Sequence, residues 1–189
     1  GDVMPAILQL KQELDEQNIA GPRVFVAGPI FTINGGHPTQ DKRIPSWVVE
    51  RVTIQSDDPA YVKQKIATLA KQGIDGIKVV YQSHTNSEGV VTMPRISNET
   101  LQAITSAARE HGLWIAVHTG TPKETNEAIA AGITTIEHGI RHGNLIESKT
   151  VQKIVKNNIV YVPTLGREPQ GHLNIAALNQ SGVMFGVGT

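Results

Sequence analysis

No cysteine occurs in the 189 residues, which excludes disulfides and thiolate metal sites and leaves His, carboxylate or a modified Lys as metal ligands. An excess of charge is missing too. The 17 Lys and Arg balance 17 Asp and Glu, and no run of like charge points to nucleic acid or an acidic membrane surface. A small neutral or zwitterionic partner suits this composition better. No apolar run approaches the roughly 20 residues of a membrane helix, and no signal peptide opens the chain. A phosphate loop is also lacking, because "AGPIFTINGGHP" at 27–38 matches neither GxGxxG nor GxxxxGK[ST].

What is present is one core's worth of apolar residues, 39% of the chain, arranged in a recurring unit. An amphipathic helix ends in Gly or Asn, and an apolar residue leads into a short β-branched strand. The joints read "QGIDGIKVV" (72–80), "HGLWIAVHT" (111–119), "AGITTIEHG" (131–139), "NNIVYVPTL" (157–165) and "SGVMFGVGT" (181–189). Helix starts are marked by Asp57-Asp58-Pro59 and by the capping-box spacing of Thr121-Pro122-Lys123-Glu124. Val62, Ile66, Leu69 and Ala70 form one stripe for a sheet.

With an earlier helix near 4–17 and a strand "VFVAG" at 24–28, six strands alternate with helices. That pattern predicts an α/β fold with a parallel sheet, either doubly wound or a closed barrel. Without a nucleotide loop the barrel is favoured. A complete (β/α)8 barrel takes about 250 residues, so six strands in 189 residues make an incomplete TIM-type barrel in one partial domain, 1–189.

Working residues of such barrels sit at the C-terminal ends of strands. Here these are Lys78, His118, His138, Thr164 and whatever would follow Thr189. A lone histidine at such a place is more often structural. Lys78 is less ordinary, because an ammonium flanked by Ile77, Val79 and Val80 is costly to bury without a partner. Neutral imidazoles suit zinc and similar ions. A lysine joins them only after its amine has reacted with carbon dioxide to give an anionic carbamate. As an alternative, a desolvated strand-end lysine can form a Schiff base, as in a lyase or aldolase. A non-catalytic scaffold is a third reading.

The pieces "IKV", "AVHTG", "AGITTIEHG" and "GVGT", in this order and spacing, resemble the metal-dependent amidohydrolase superfamily. The similarity is strongest to its imidazolonepropionase-like and Xaa-Pro dipeptidase-like (prolidase-like) branch. The resemblance implies metal-assisted hydrolysis of an amide or peptide, ester or lactone bond in a small or dipeptide-like substrate. It implies one or two divalent ions, zinc by preference, held by a carboxylated Lys78 with His118 and His138. His37 of "GGH" and Tyr81 after Lys78 become candidate substrate contacts.

The family pattern also includes an HxH pair on the first strand and a catalytic aspartate directly after the eighth-strand "GT", hence after Thr189. No HxH occurs here. The chain therefore reads as strands three to eight, without strands one and two or the family's β-sandwich domain. No catalytic residue is expected within it, and the isolated chain is expected to bind metal weakly and to be inactive. After "VPTL", where the family often has a long excursion, this sequence gives only "GREPQGHLNIAALNQ".

Exposed sheet edges predict a homo-oligomer or swapped assembly. A cytoplasmic or periplasmic setting fits, with the native N-terminus missing. The long 34–57 loop has the length of a lid or binding element in which Trp47 and Arg51 could serve, although a surface-packing ring and a solvated cation are the more ordinary reading.

Overall fold

The computed structural model describes residues 3–16, 18–140, 145–164 and 169–188. In chain order the elements are α1 (Met4–Asp15), β1 (Ile30–Thr32), α2 (Ser46–Val52), β2 (Thr53–Gln55), α3 (Pro59–Lys71), β3 (Gly76–Val80), β4 (His84–Thr85) and β5 (Val91–Met93). They continue with α4 (Asn98–Glu110), β6 (Trp114–His118), α5 (Pro122–Ala131), β7 (Thr135–His138), α6 (Ser148–Lys156), β8 (Val160–Pro163) and α7 (Pro169–Asn179).

Local chemistry sets the helix starts. Asp58 accepts hydrogen bonds from the backbone of Ala60 and Tyr61, with Pro59 in the first turn of α3. Thr121 and Glu124 close a capping box around the start of α5, again with a proline in the first turn. Val62, Ile66 and Leu69 of α3 are buried, and Ala70 packs against the same core.

The main sheet has six strands in the order β2-β1-β3-β6-β7-β8, and each neighbouring pair is parallel. β3, β6, β7 and β8 add in chain order on one side of β1, while the three-residue β2 pairs back on its other side. The helices that build the core cover one face of this run and leave the other open, whereas a doubly wound sheet carries helices on both, so the fold is that of an incomplete (β/α)8 barrel. Alternation divides the residues of the sheet between two faces. Phe31, Ile77, Val79, Ile115, Val117, Ile136 and Tyr161 belong to the buried core together with residues of α3 to α6. Lys78, Trp114, Thr135, Glu137, Val160 and Val162 lie on the other face and keep partial exposure. This is the open face.

Three details differ from the sequence expectation. The first strand forms at Ile30–Thr32 instead of 24–28. Residues 24–28 form no strand and are tied at Val26, whose N–H donates to Asp75 Oδ2 at 2.7 Å while its carbonyl accepts from Asp75 N at 2.8 Å. An additional strand, β2, pairs with β1 from the far side. It lies within a segment that alternation over three residues is too short to reveal. The expected last strand is reduced to a single bridge between Phe185 and Tyr161, and Thr189 lies outside the described residues.

No helix among the described residues is long and apolar enough to cross a membrane.

Candidate functional site

Lys78 occupies the centre of β3, in register with Ile30 of β1 and Ala116 of β6. These neighbours offer it no charge. Its partner comes from β7 instead, with Lys78 Nζ lying 3.8 Å from Glu137 Oε2. Both side chains are about four-fifths withdrawn from water, at 19% relative exposure each. Burial pulls the Lys78 amine down to about 8, and the nearby Glu137 carboxylate pulls partly the other way. A neutral amine is therefore accessible near physiological pH. The two side chains line a cavity of about 360 Å³ with Ala27, Gly28, Trp114 and His138.

Strand register then brings in the histidines. His118 ends β6, with Val80 on one side and Glu137 on the other, and it is only 5% exposed. His138 ends β7 with φ at 62°, a left-handed conformation uncommon for a residue with a side chain. Gly139 follows at φ 76°, and a Cβ there would meet the Tyr161 hydroxyl at 2.6 Å. That hydroxyl accepts from Ile140 N at 2.7 Å. The "EHG" sequence thus turns the chain sharply at the strand end, and such strained turns concentrate at functional sites. His138 Nδ1 lies 2.8 Å from Thr164 Oγ1 at the end of β8.

Three imidazoles stand in a row. The His118 and His138 ring centroids are 4.7 Å apart, and those of His37 and His118 are 5.2 Å apart. His37 reaches this place because Thr32 Oγ1 donates to its carbonyl at 2.7 Å, which pins the loop beyond β1. Its Nδ1 lies 3.3 Å from Gln40 Nε2. Glu137 links the two groups, since it pairs with Lys78 at mid-sheet and stands in register with His118, whose ring adjoins those of His138 and His37.

Tyr81 is placed differently from its expected role. Three residues along a strand reverse the side, so Tyr81 points with Ile77 and Val79 towards the helices. It is fully buried. Its hydroxyl donates to Glu127 Oε2 at 2.9 Å and accepts from Asn98 Nδ2 at 3.3 Å. The Arg95 guanidinium lies 3.9 Å above its ring and pairs with Glu127 at 2.8 Å. Tyr81 thus holds a polar network behind the sheet and does not line the open face. In the 34–57 loop, the Arg51 guanidinium lies 5.5 Å from the ring of the exposed Trp47. Each of the two is accounted for by the other.

Sequence reading overlooked Glu137 and Gln82. Glu137 could have been found by counting, since it sits in the "TIEHG" strand two positions from Thr135 and so shares its face. Gln82, which meets His118, lies in a loop with no period to betray it.

The donor set fits part of a metal site. Two imidazoles and a partly desolvated lysine supply the right chemistry, but no group of three His, Cys, Asp or Glu residues set to hold a metal occurs among the described residues.

The amidohydrolase family pattern matches residues 2–188. Among solved structures, the chain is similar to a Xaa-Pro dipeptidase with bound methionine in the active site, at 24% identity and TM-score 0.72, covering 100% of this chain and 53% of that one. It is also similar to a prolidase complexed with N-methylphosphonate-L-proline, at 21% identity and TM-score 0.74, covering 96% and 51%. Phenylurea hydrolase B gives 16% identity and TM-score 0.75, covering 100% and 50%. These likenesses bear on the fold. The chain spans about half the length of the solved structures it matches. No curated protein matches it.

Proposed function

This chain belongs to the amidohydrolase family, and on that premise we propose that it carries the lysine and histidine half of a metal-dependent hydrolytic site. The bond cleaved is an amide or peptide bond of a small, dipeptide-like substrate. The observation that carries this reading is the linkage of Lys78, through Glu137, to His118 and His138.

His118 and His138 would hold a divalent ion, zinc by preference, and Lys78 would join them as its carbamate. When bound, the metal supplies a hydroxide at neutral pH and polarises the scissile carbonyl. The residues of this chain prepare for that. Withdrawal of Lys78 from water favours its neutral amine, the form that attacks carbon dioxide; a C–N bond forms and one proton leaves. Glu137 holds the lysine side chain towards the cavity. His37, in ring contact with His118, is suited to polar recognition of substrate. Names of solved relatives such as prolidase and Xaa-Pro dipeptidase support the choice of dipeptides as the first substrates to try.

A lysine with a lowered pKa also suits imine formation, so the test separates the two chemistries. Hydrolysis of an Xaa-Pro dipeptide panel is measured with zinc and bicarbonate, for the 189-residue chain alone and for the chain extended by a relative's HxH strand and eighth-strand aspartate. Turnover is expected only in the extended protein, and is lost in Lys78→Ala. Ordinary enzyme rates from the chain alone would overturn the half-site reading. Borohydride trapping of Lys78 with a carbonyl compound, in the absence of metal, would overturn the hydrolase reading.

A further inference from the structure

We infer that Gln82 is a positioning residue that sets the orientation of the His118 imidazole, and that Gly120 is there to let it reach. Gln82 follows β3 in a loop where side chains are seldom held firmly. Here both of its neighbours are anchored. Tyr81 N donates to the His118 carbonyl at 2.8 Å, and the Tyr81 hydroxyl is held by Glu127. On the other side, Ser83 N and Oγ donate to Glu124 Oε1 at 2.8 and 3.1 Å. Glu124 itself is 4% exposed, and its second oxygen accepts from Gly120 N and Thr121 N at 3.0 Å each. One buried carboxylate therefore ties the Gln82 loop to the turn that follows His118.

Between these anchors the Gln82 side chain lies flat over Gly120. A Cβ at Gly120 would meet Gln82 Nε2 at 2.6 Å and Cδ at 2.8 Å, so any larger residue there displaces the amide. At the far end of that side chain, Gln82 Oε1 accepts a hydrogen bond from His118 Nε2–H. With the hydrogen on Nε2, Nδ1 is the unprotonated nitrogen of the ring. Partners of this kind, one step removed from a ligand, fix which nitrogen of a histidine is offered and in what direction. Gln82 thus contributes to the direction of the His118 ring from a loop pinned on both sides.

The inference rests on His118 being a working residue of the proposed site, yet its test reads the ring without metal or substrate, so the two readings fail separately. Histidine-selective ¹⁵N labelling gives the ring signals of His118. In the unmodified protein, a protected Nε2–H resonance with a cross-peak to the Gln82 side-chain amide is expected. Gln82→Leu should abolish that resonance and move the His118 ring nitrogens while the backbone amide spectrum persists. Gln82→Glu, which keeps the acceptor, should restore it, and Gly120→Ala should reproduce the loss. An unprotected Nε2–H in the unmodified protein, or unchanged ring signals in a folded Gln82→Leu, would overturn the inference. The first of these needs no variant to fold.

Discussion

At the scale of the residue, Lys78 is governed by two opposed effects, and their balance can be shifted. Burial lowers its pKa and Glu137 raises it. Glu137→Gln removes the raising influence, so the amine should titrate below its present value of about 8 and be neutral over a wider range of pH. Titration of the ¹⁵N-labelled lysine amines by NMR checks this; an unchanged or raised pKa would show that Glu137 does not act on Lys78. Counting strand ends from helix stops singled out Lys78, His118 and His138; the histidines do end β6 and β7, whereas Lys78 stands at the centre of β3. Tyr81 was misplaced by the same counting, since nearness in sequence to Lys78 is not the same face. Glu137 was open to the same counting, as it shares a face with Thr135, whereas the role of Gln82 depends on what the next strand brings beside it.

At the scale of the element, a buried and a partly buried carboxylate on α5 hold the loops around the site. Glu124 accepts four hydrogen bonds, from Ser83 N, Ser83 Oγ, Gly120 N and Thr121 N. Glu124→Ala leaves these donors without a partner and should cost about 2–4 kcal/mol, given roughly 1–3 kcal/mol for each fully desolvated group; urea unfolding measures it. Glu127 shows how pH enters. Burial pushes its carboxyl up, but hydrogen bonds from Arg95 and Tyr81 and the Arg95 charge outweigh this and hold it below its usual range. A carboxylate lowered on folding contributes stability above the ordinary carboxylate pKa and loses it as pH falls through the folded value. Glu127→Gln should therefore cost about 1–2 kcal/mol at pH 7, with the difference from the unmodified protein shrinking towards pH 3. A difference that stays constant with pH would contradict the assignment. Caps and helix stripes were legible here because they are local, whereas three-residue β2 and the one-bridge pairing at Phe185 depend on distant partners.

At the scale of the whole molecule, the sheet leaves apolar side chains near the edge beyond β8. Met184 is 54% exposed and Phe185 37%, while Val187 is fully exposed. Such an edge favours pairing with another chain, so association is expected by light scattering and should weaken in Val187→Lys; a stable monomer at high concentration would contradict it. The parallel barrel winding was readable from alternation of helix and strand. The central claim is that metal binds at His118 and His138 beside Lys78, and the most direct measurement is a titration with paramagnetic Co²⁺ followed through the histidine ring NMR signals. Broadening should appear first at His118 and His138, at weak affinity, and disappear from both when either is changed to Asn. Broadening that begins at exposed histidines such as His84, with His118 and His138 untouched, would contradict the account.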